Sequence, residues 1–460
     1  MTRTRAISRA AHHLDSGDYL RDLRRRVSYR TESQEPGALG ALHDYLEQEI
    51  APVLRRLGCE WRIVDNPAAG AGPVLIAHRH ESDSAPTVLT YAHGDVAPGQ
   101  ERLWRAGLSP WDIVVEGDRW YGRGTADNKG QHGINLAALE QVLDERGGRL
   151  GFNLKVLVET GEEIGSPGLR ELCTHHREEL AADVLIASDG PRVAAARPTV
   201  FLGTRGAVEF TLSLRRADGL HHSGNWGGLL RNPATVVLNA VASIVSGRGQ
   251  ILVDRLRPRA VPGPVKQALA DIEVGGSPGD PVIDPDWGEP GLTAAERLVG
   301  WNTVEVLAIA AGTPDCPVNA IPESARATCQ LRFVVGTDYG DLETTLREHL
   351  DSQGLGMVEV RVGSAVPATR TDPTNGWVLR VVRSLAETTG KRPALLPNLG
   401  GTLPNDAFAT ALGMPTVWVP HSYPACAQHA PNEHLLAPVA REGLQMMAGL
   451  FWDLGVEAPE

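Results

Sequence analysis

Apolar spacing sets the first elements. Leu39, Leu42, Leu46 and Ile50 recur at helical intervals, and Pro52 strains or ends that helix, since proline lacks an amide hydrogen. From about residue 75 short apolar strands alternate with helices. Strands are predicted at 87–92 (TVLTYA), 154–158 and 184–187. A helix with apolar residues on one face is predicted over 133–143, and another over 169–180. Such alternation builds a mostly parallel sheet covered by helices.

Near Pro198 the texture shifts. Segments 208–214 (VEFTLSL), 327–333 and 358–362 alternate apolar and polar residues, as in antiparallel strands with one solvated face. Segments 235–245 and 342–350 read as the accompanying helices, and 253–300, rich in Pro, Gly and Asp, as an extended loop. After about 366 the first texture returns, with a helix near 377–389 and a strand at 416–419. The expected fold is α/β. Residues 1–197 and 366–460 form a discontinuous domain, a mostly parallel sheet with helices on both faces. It is interrupted at 198–365 by a smaller α+β domain with an antiparallel sheet.

Length agrees, because 460 residues exceed one ordinary core. Acidic residues outnumber basic ones, 56 to 44, which argues against a nucleic-acid partner needing a basic face. No apolar run approaches membrane-spanning length, and the arginines of the first ten residues are not backed by an apolar core, so neither a membrane partner nor a secretory leader is expected. Cys59, Cys173, Cys316, Cys329 and Cys426 are scattered without a CxxC pair. That pattern supports neither a disulfide framework nor a thiolate zinc site, and it favours a cytoplasmic location.

The chemistry concentrates in segments just after predicted strands: YAHGD (91–95), GRGTADNKG (122–130), ETGEE (159–163) and SDG (188–190), joined by QHAPNE (428–433) near the C-terminus. In open α/β sheets, loops at the carboxyl ends of strands converge on one crevice. Zinc takes imidazole nitrogen and carboxylate oxygen. Two cations a few ångströms apart need an acidic bridge and share one hydroxide as nucleophile. Two histidines and three carboxylates suffice for such a shell, and another acid outside it serves as general base. Glu162 and Glu163 are adjacent, so one coordinates while the other handles protons. Asp95 is placed to orient His93. Each segment alone has an ordinary reading as a turn, a cap or a solvated helix start; all five together do not.

These motifs, with LHHSGNWGG (220–228) and NAIP (319–322) in the same order, resemble the zinc-dependent M20 metallopeptidases over nearly the whole chain. The family includes carnosinase-like dipeptidases, glutamate carboxypeptidase, aminoacylases and succinyl-diaminopimelate desuccinylase. The resemblance implies two Zn2+ per subunit, with Mn2+ or Co2+ as substitutes. His93 and Asp189 would bind one, Glu163 and His429 the other, and Asp127 would bridge them across a cis Asp127–Asn128 peptide. Glu162 would be the general base and Asp95 the support of His93. The middle domain would act as lid and dimerisation domain. His222 would reach a partner subunit's site to stabilise the oxyanion, with His221 beside it as the alternative. Arg332 would bind the substrate carboxylate, and Asn319 would contact substrate or fix its loop.

Asn128 stands where many relatives have a second aspartate, and Asn405–Asp406 follow a GGTLP loop (400–404) that usually continues with small residues. Among the families it resembles, Asp at the position of Asp189 is commoner in dipeptidases and Glu in glutamate carboxypeptidases and aminoacylases, so the resemblance tilts the expectation towards dipeptides or small peptides. The alternative is an amidohydrolase or aminoacylase acting on N-acyl or N-carbamoyl amino acids. A non-catalytic binding protein on this fold would have lost part of the shell, and every position is filled. A serine hydrolase would need a GxSxG elbow, which does not occur in a suitable context.

Overall fold

The computed structural model describes residues 1–275 and 281–456. Its largest sheet has eight strands, in the order Glu60–Val64, Val74–Arg79, Asn153–Glu159, Thr87–His93, Val184–Ala187, Thr416–Trp418, Thr199–Phe201 and Ala394–Leu396. The strands from Asn153–Glu159 to Thr416–Trp418 pair in parallel. Val74–Arg79 joins them antiparallel. The central strands are buried on both faces, so they read as continuous apolar runs rather than alternating ones. Their carboxyl ends share one edge, where His93 lies in register with Glu159.

Several elements depart from the expected pattern. The helix over 39–56 does not stop at Pro52. Its turn Tyr45–Ile50 widens to π geometry, and the Ala51 amide bonds back to the Leu46 carbonyl. The wider turn accommodates a residue that cannot supply the ordinary bond. The helix Lys129–Glu145 is buried around most of its circumference rather than on one face. Helices Arg3–Asp15 and Ala437–Leu454 pack against it, and residues of all three join the core that includes Ile134, Leu139 and Leu444. The helix over 169–180 divides into Leu169–His175 and Arg177–Leu180.

Residues 253–300 are not one extended loop. Helices Gly263–Leu269 and Ala294–Val299 form there, while 276–280 lie outside the described residues. Thr293 and Glu296 make a reciprocal capping box for the second helix, a signature present in the sequence. Val265, Leu269, Ala295 and Val299 bury themselves with Phe201, Leu396 and Trp418, on the large sheet's side.

The second sheet is antiparallel, in the order Thr303–Ala311, Ser324–Phe333, Gly206–Arg215 and Glu359–Val366. Helices Pro233–Ile244 and Leu342–Ser352 pack with it around Phe210, Leu331 and Leu346. Thr303–Ala311 is an edge strand whose residues from Glu305 onward are exposed.

Trp418 anchors the large sheet beside the strand that leads to Asp189. Its ring stacks on Phe201 with centroids 5.7 Å apart and planes 4° apart, and its Nε1 donates to Asn405 Oδ1 at 2.8 Å. Trp418→Ala removes a fully buried indole and is expected to cost about 3–5 kcal/mol. Chemical denaturation of the variant and the wild type measures it.

Candidate metal centre

His93 ends its strand fully buried. Its Nδ1 lies 3.0 Å from the Asp95 carbonyl oxygen and 3.3 Å from Asp95 Oδ1. The tautomer with hydrogen on Nδ1 satisfies both and leaves Nε2 as a free donor of electrons. Nε2 faces Asp127 Oδ1 at 3.0 Å and Asp189 Oδ2 at 3.5 Å. The other oxygen of Asp127 lies 3.1 Å from His429 Nε2, which is 3.2 Å from Glu163 Oε2. Asp127 therefore presents one oxygen to each histidine. Gln428 Nε2 donates to the His429-side oxygen at 3.2 Å.

Local structure fixes these groups. The Asp95 carboxylate accepts the Glu162 and Glu163 amides at 3.2 and 3.0 Å, which clamps the short turn Glu162–Ile164 against the His93 loop. Ser33 donates to the same carboxylate at 2.7 Å, and Gln34 donates to the Glu163 carbonyl at 3.0 Å. The Asp127–Asn128 peptide is cis. Asn128 Nδ2 donates to the Ser188 carbonyl at 2.8 Å, tying the Asp127 loop to the segment that carries Asp189.

The electrostatics call for cations. Burial opposes charge on His93, yet Asp127, Asp189 and Asp95 hold its pKa well above the usual value. The bond to Asp127 lifts His429 to about 9. Burial, with repulsion from Asp127, pushes Glu163 up to about 8. Burial also drives Glu162 well above its ordinary range, with repulsion from Asp189, Asp127 and Glu163 added. The carboxylates are crowded, and two imidazoles do not balance them. Glu163 Oε1 is buried without a hydrogen-bond donor. Donor atoms of His93, Asp127 and Glu163 all lie within 4.8 Å of one another, and nitrogen and oxygen donors of this kind suit zinc.

Glu162, Glu163 and His429 line a cavity of about 420 Å³, which Arg170, Val366, Thr402 and Asp406 help to close. Arg332 sits behind its wall, Nη1 donating to Thr402 Oγ1 at 3.2 Å. His222 and Asn319 lie side by side elsewhere. His222 pairs with Ala320 in a two-stranded ribbon, the Ser223 amide donates to the Asn319 carbonyl at 2.9 Å, and His222 Nδ1 accepts the Gly224 amide at 3.1 Å. Neither lines the cavity. His221 turns instead to Asp218, 3.0 Å away.

Sequence reasoning missed Ser33 and Gln34, whose segment carries no metal-site signature. It also passed over Glu433, although the QHAPNE motif contains it. Glu433 is fully buried and accepts the Asp127 amide at 3.0 Å.

Imidazoles and carboxylates gathered at the carboxyl edge of a parallel sheet, beside a cleft, define a metal-dependent hydrolase. The profile of Peptidase family M20/M25/M40 matches residues 89–453, and the chain belongs to that family, as a metallopeptidase. The Cysteinylglycine-S-conjugate dipeptidase of Corynebacterium striatum is 26% identical over 376 residues, 79% of each chain. The Beta-Ala-His dipeptidase of Mus musculus is 27% identical over 274 residues, 56% of this chain and 54% of the other. Among solved structures, the M20 family metallo-carboxypeptidase Sso-CP2 from Sulfolobus solfataricus has a TM-score of 0.78 at 24% identity, covering 95% of this chain and 99% of that one. The di-peptidase Dug1p from Saccharomyces cerevisiae has a TM-score of 0.76 at 20% identity over the full length of both chains. Those two structures share the fold.

Asp95 holds both His93 and the Glu162–Glu163 turn, so Asp95→Ala is expected to weaken divalent-metal binding by about 10- to 100-fold. Competition against a chromophoric chelator checks it.

Proposed function

We propose that the chain is a dizinc dipeptidase that cleaves the amide bond of dipeptides or small peptides. One observation carries the reading: the two oxygens of Asp127 face His93 and His429 separately, with Asp189 beside the first histidine and Glu163 beside the second. His93 and Asp189 would hold one cation and Glu163 and His429 the other, with Asp127 as the carboxylate shared between them. Mn2+ or Co2+ substitutes for Zn2+. When bound, the cations supply Lewis-acid polarisation of the scissile carbonyl and ease deprotonation of water. Glu162, which lines the cavity, takes the proton from the attacking water and returns it to the leaving amine. Asp95 keeps His93 and the Glu162 turn in place, and Arg332, with Thr402, receives the substrate carboxylate.

Residues 198–365 serve as lid and dimerisation domain. His222 is exposed on its own chain, as required of a side chain that completes a partner subunit's site, and Asn319 holds its ribbon. Val306, Leu307 and Ile309 on the edge strand are exposed apolar residues, which supports a homodimer formed along that edge. All five cysteines are free, and no helix among the described residues is long and apolar enough to cross a membrane. Both fit a cytoplasmic enzyme.

Dialysis against a chelator is expected to abolish turnover and added zinc to restore it. Glu162→Gln is expected to keep its zinc, measured by metal analysis, while turnover falls by about 10²- to 10⁴-fold; near-normal turnover refutes the base. The substrate class is tested on Cys-Gly and β-Ala-His beside N-acetyl and N-carbamoyl amino acids, each with zinc, manganese or cobalt. Faster hydrolysis of the dipeptides is expected, and a preference for the acyl compounds would establish the amidohydrolase reading instead.

The dimer has its own test. His222→Ala and Glu162→Gln are each expected to be inactive alone, and mixing the two after subunit exchange is expected to recover activity. Sedimentation reports the oligomeric state, and an active monomer would refute the shared site.

A further inference from the structure

Glu433 closes the segment that supplies His429. Directly after it, the strand His434–Leu436 pairs antiparallel with Arg119–Tyr121, and the Gly122 amide donates to the Glu433 carbonyl at 3.0 Å. The C-terminal motif is thus joined by its backbone to the strand that leads into the Asp127 loop. The side chain then continues the join. Glu433 Oε1 accepts three backbone amides of that loop: Gly124 at 3.0 Å, Ala126 at 2.9 Å and Asp127 at 3.0 Å. Oε2 accepts Arg123 Nη1 at 2.7 Å. Neither Glu433 nor Arg123 is exposed.

The loop can aim these amides at one point because Gly124 adopts φ +86°, a conformation glycine enters at little cost. Converging amides of this kind form a concave site for an anion, and here the protein supplies the anion itself. Ionised acceptors make hydrogen bonds roughly twice as strong as neutral ones. Four donors on one buried carboxylate leave the loop little freedom.

We propose that Glu433 is a positioning residue for the metal centre, coupling the loop of His429 to the loop of Asp127. It sets the span between a histidine on the C-terminal segment and the carboxylate that faces it. The inference rests on reading Asp127 and His429 as ligands. Glutamate suits the position better than glutamine does. A glutamine could still accept the three amides through Oε1, but its Nε2 would confront the Arg123 donor.

That difference provides the test. Glu433→Gln is expected to weaken zinc binding by about 10- to 100-fold, measured by competition with a chelator. The rise in Tm on adding zinc should shrink with it. A purely structural role would lower the apo and zinc-loaded Tm equally and leave the affinity unchanged, and either result overturns the proposal. Two further variants remove the opposing donor: Arg123→Met with Glu433→Gln keeps the Oε1 acceptor, and Arg123→Met with Glu433→Ala removes it. The first pair is expected to bind zinc about tenfold tighter than the second, and equal affinities overturn the proposal even if the single variant does not fold. Failure of the wild-type chain to bind zinc would instead refute the ligand assignment.

Discussion

A single carboxylate shared between two histidines organises the centre. Asp127 can face His93 with one oxygen and His429 with the other only if residues 336 positions apart in the sequence are brought to one place. The parallel sheet does most of this work, since its strands deliver His93, Glu159 and Ala187 to a common edge. The loops after those strands carry Asp95, Glu162, Glu163 and Asp189. The C-terminal segment reaches the same edge by a different route, as a short strand on Arg119–Tyr121. Gathering acids in a buried place is unfavourable unless positive charge joins them. The raised pKa of Glu163, about 8, expresses that imbalance, and cations relieve it.

The gathering of imidazoles and carboxylates was legible because His93, Glu162, Glu163 and Asp189 sit in short polar motifs that closely follow apolar strands, and strand ends converge in this architecture. The strands themselves were legible by their burial. What stayed hidden depended on tertiary context. The helix Lys129–Glu145 reads as one-faced, yet helices from both ends of the chain cover its outer side, which no local period reveals. Pro52 strained its helix without ending it, and only the choice between those two outcomes, settled by the π turn Tyr45–Ile50, was unreadable. The helices within 253–300 are short and depend on packing against the large sheet, so composition dominated their appearance, although the capping box at Thr293 was readable. The edge strand Thr303–Ala311 was missed outright, since its run of small and apolar residues shows no clean alternation. Ser33 had no motif to betray it; only its contact with Asp95 gives it a role.

The residues beyond the metal cluster divide by location. Arg332 reaches the cavity wall through Thr402, so one chain can bring it to a substrate. His222 and Asn319 are held together on a ribbon away from the cavity. For His222 to serve the chemistry, a second copy of the chain must present it. Exposed apolar residues on the edge strand give that copy a surface to meet. The two proposals depend on each other, because an exposed histidine can act in a partner's site only through an interface that aims it.

The two sheets are joined where the chain crosses between them. The outgoing stretch at 202–204 and the returning stretch at 369–371 hydrogen-bond to each other. Thr204 and Thr369 exchange both backbone bonds, at 3.1 and 3.0 Å, and the Thr371 amide donates to the Leu202 carbonyl at 2.8 Å. Gly203 permits this contact, since a Cβ there would meet the Thr369 carbonyl oxygen at 2.1 Å. The cavity takes one wall from 365–367, immediately before the returning stretch, and another from Thr402 to Ala407. On the proposed lid reading, bending at this crossing would change the distance between those walls, whereas His93, Asp127, Glu163, Asp189 and His429 all fall outside residues 202–371, on the loops of the large sheet and on the segment that the Arg119–Tyr121 strand holds.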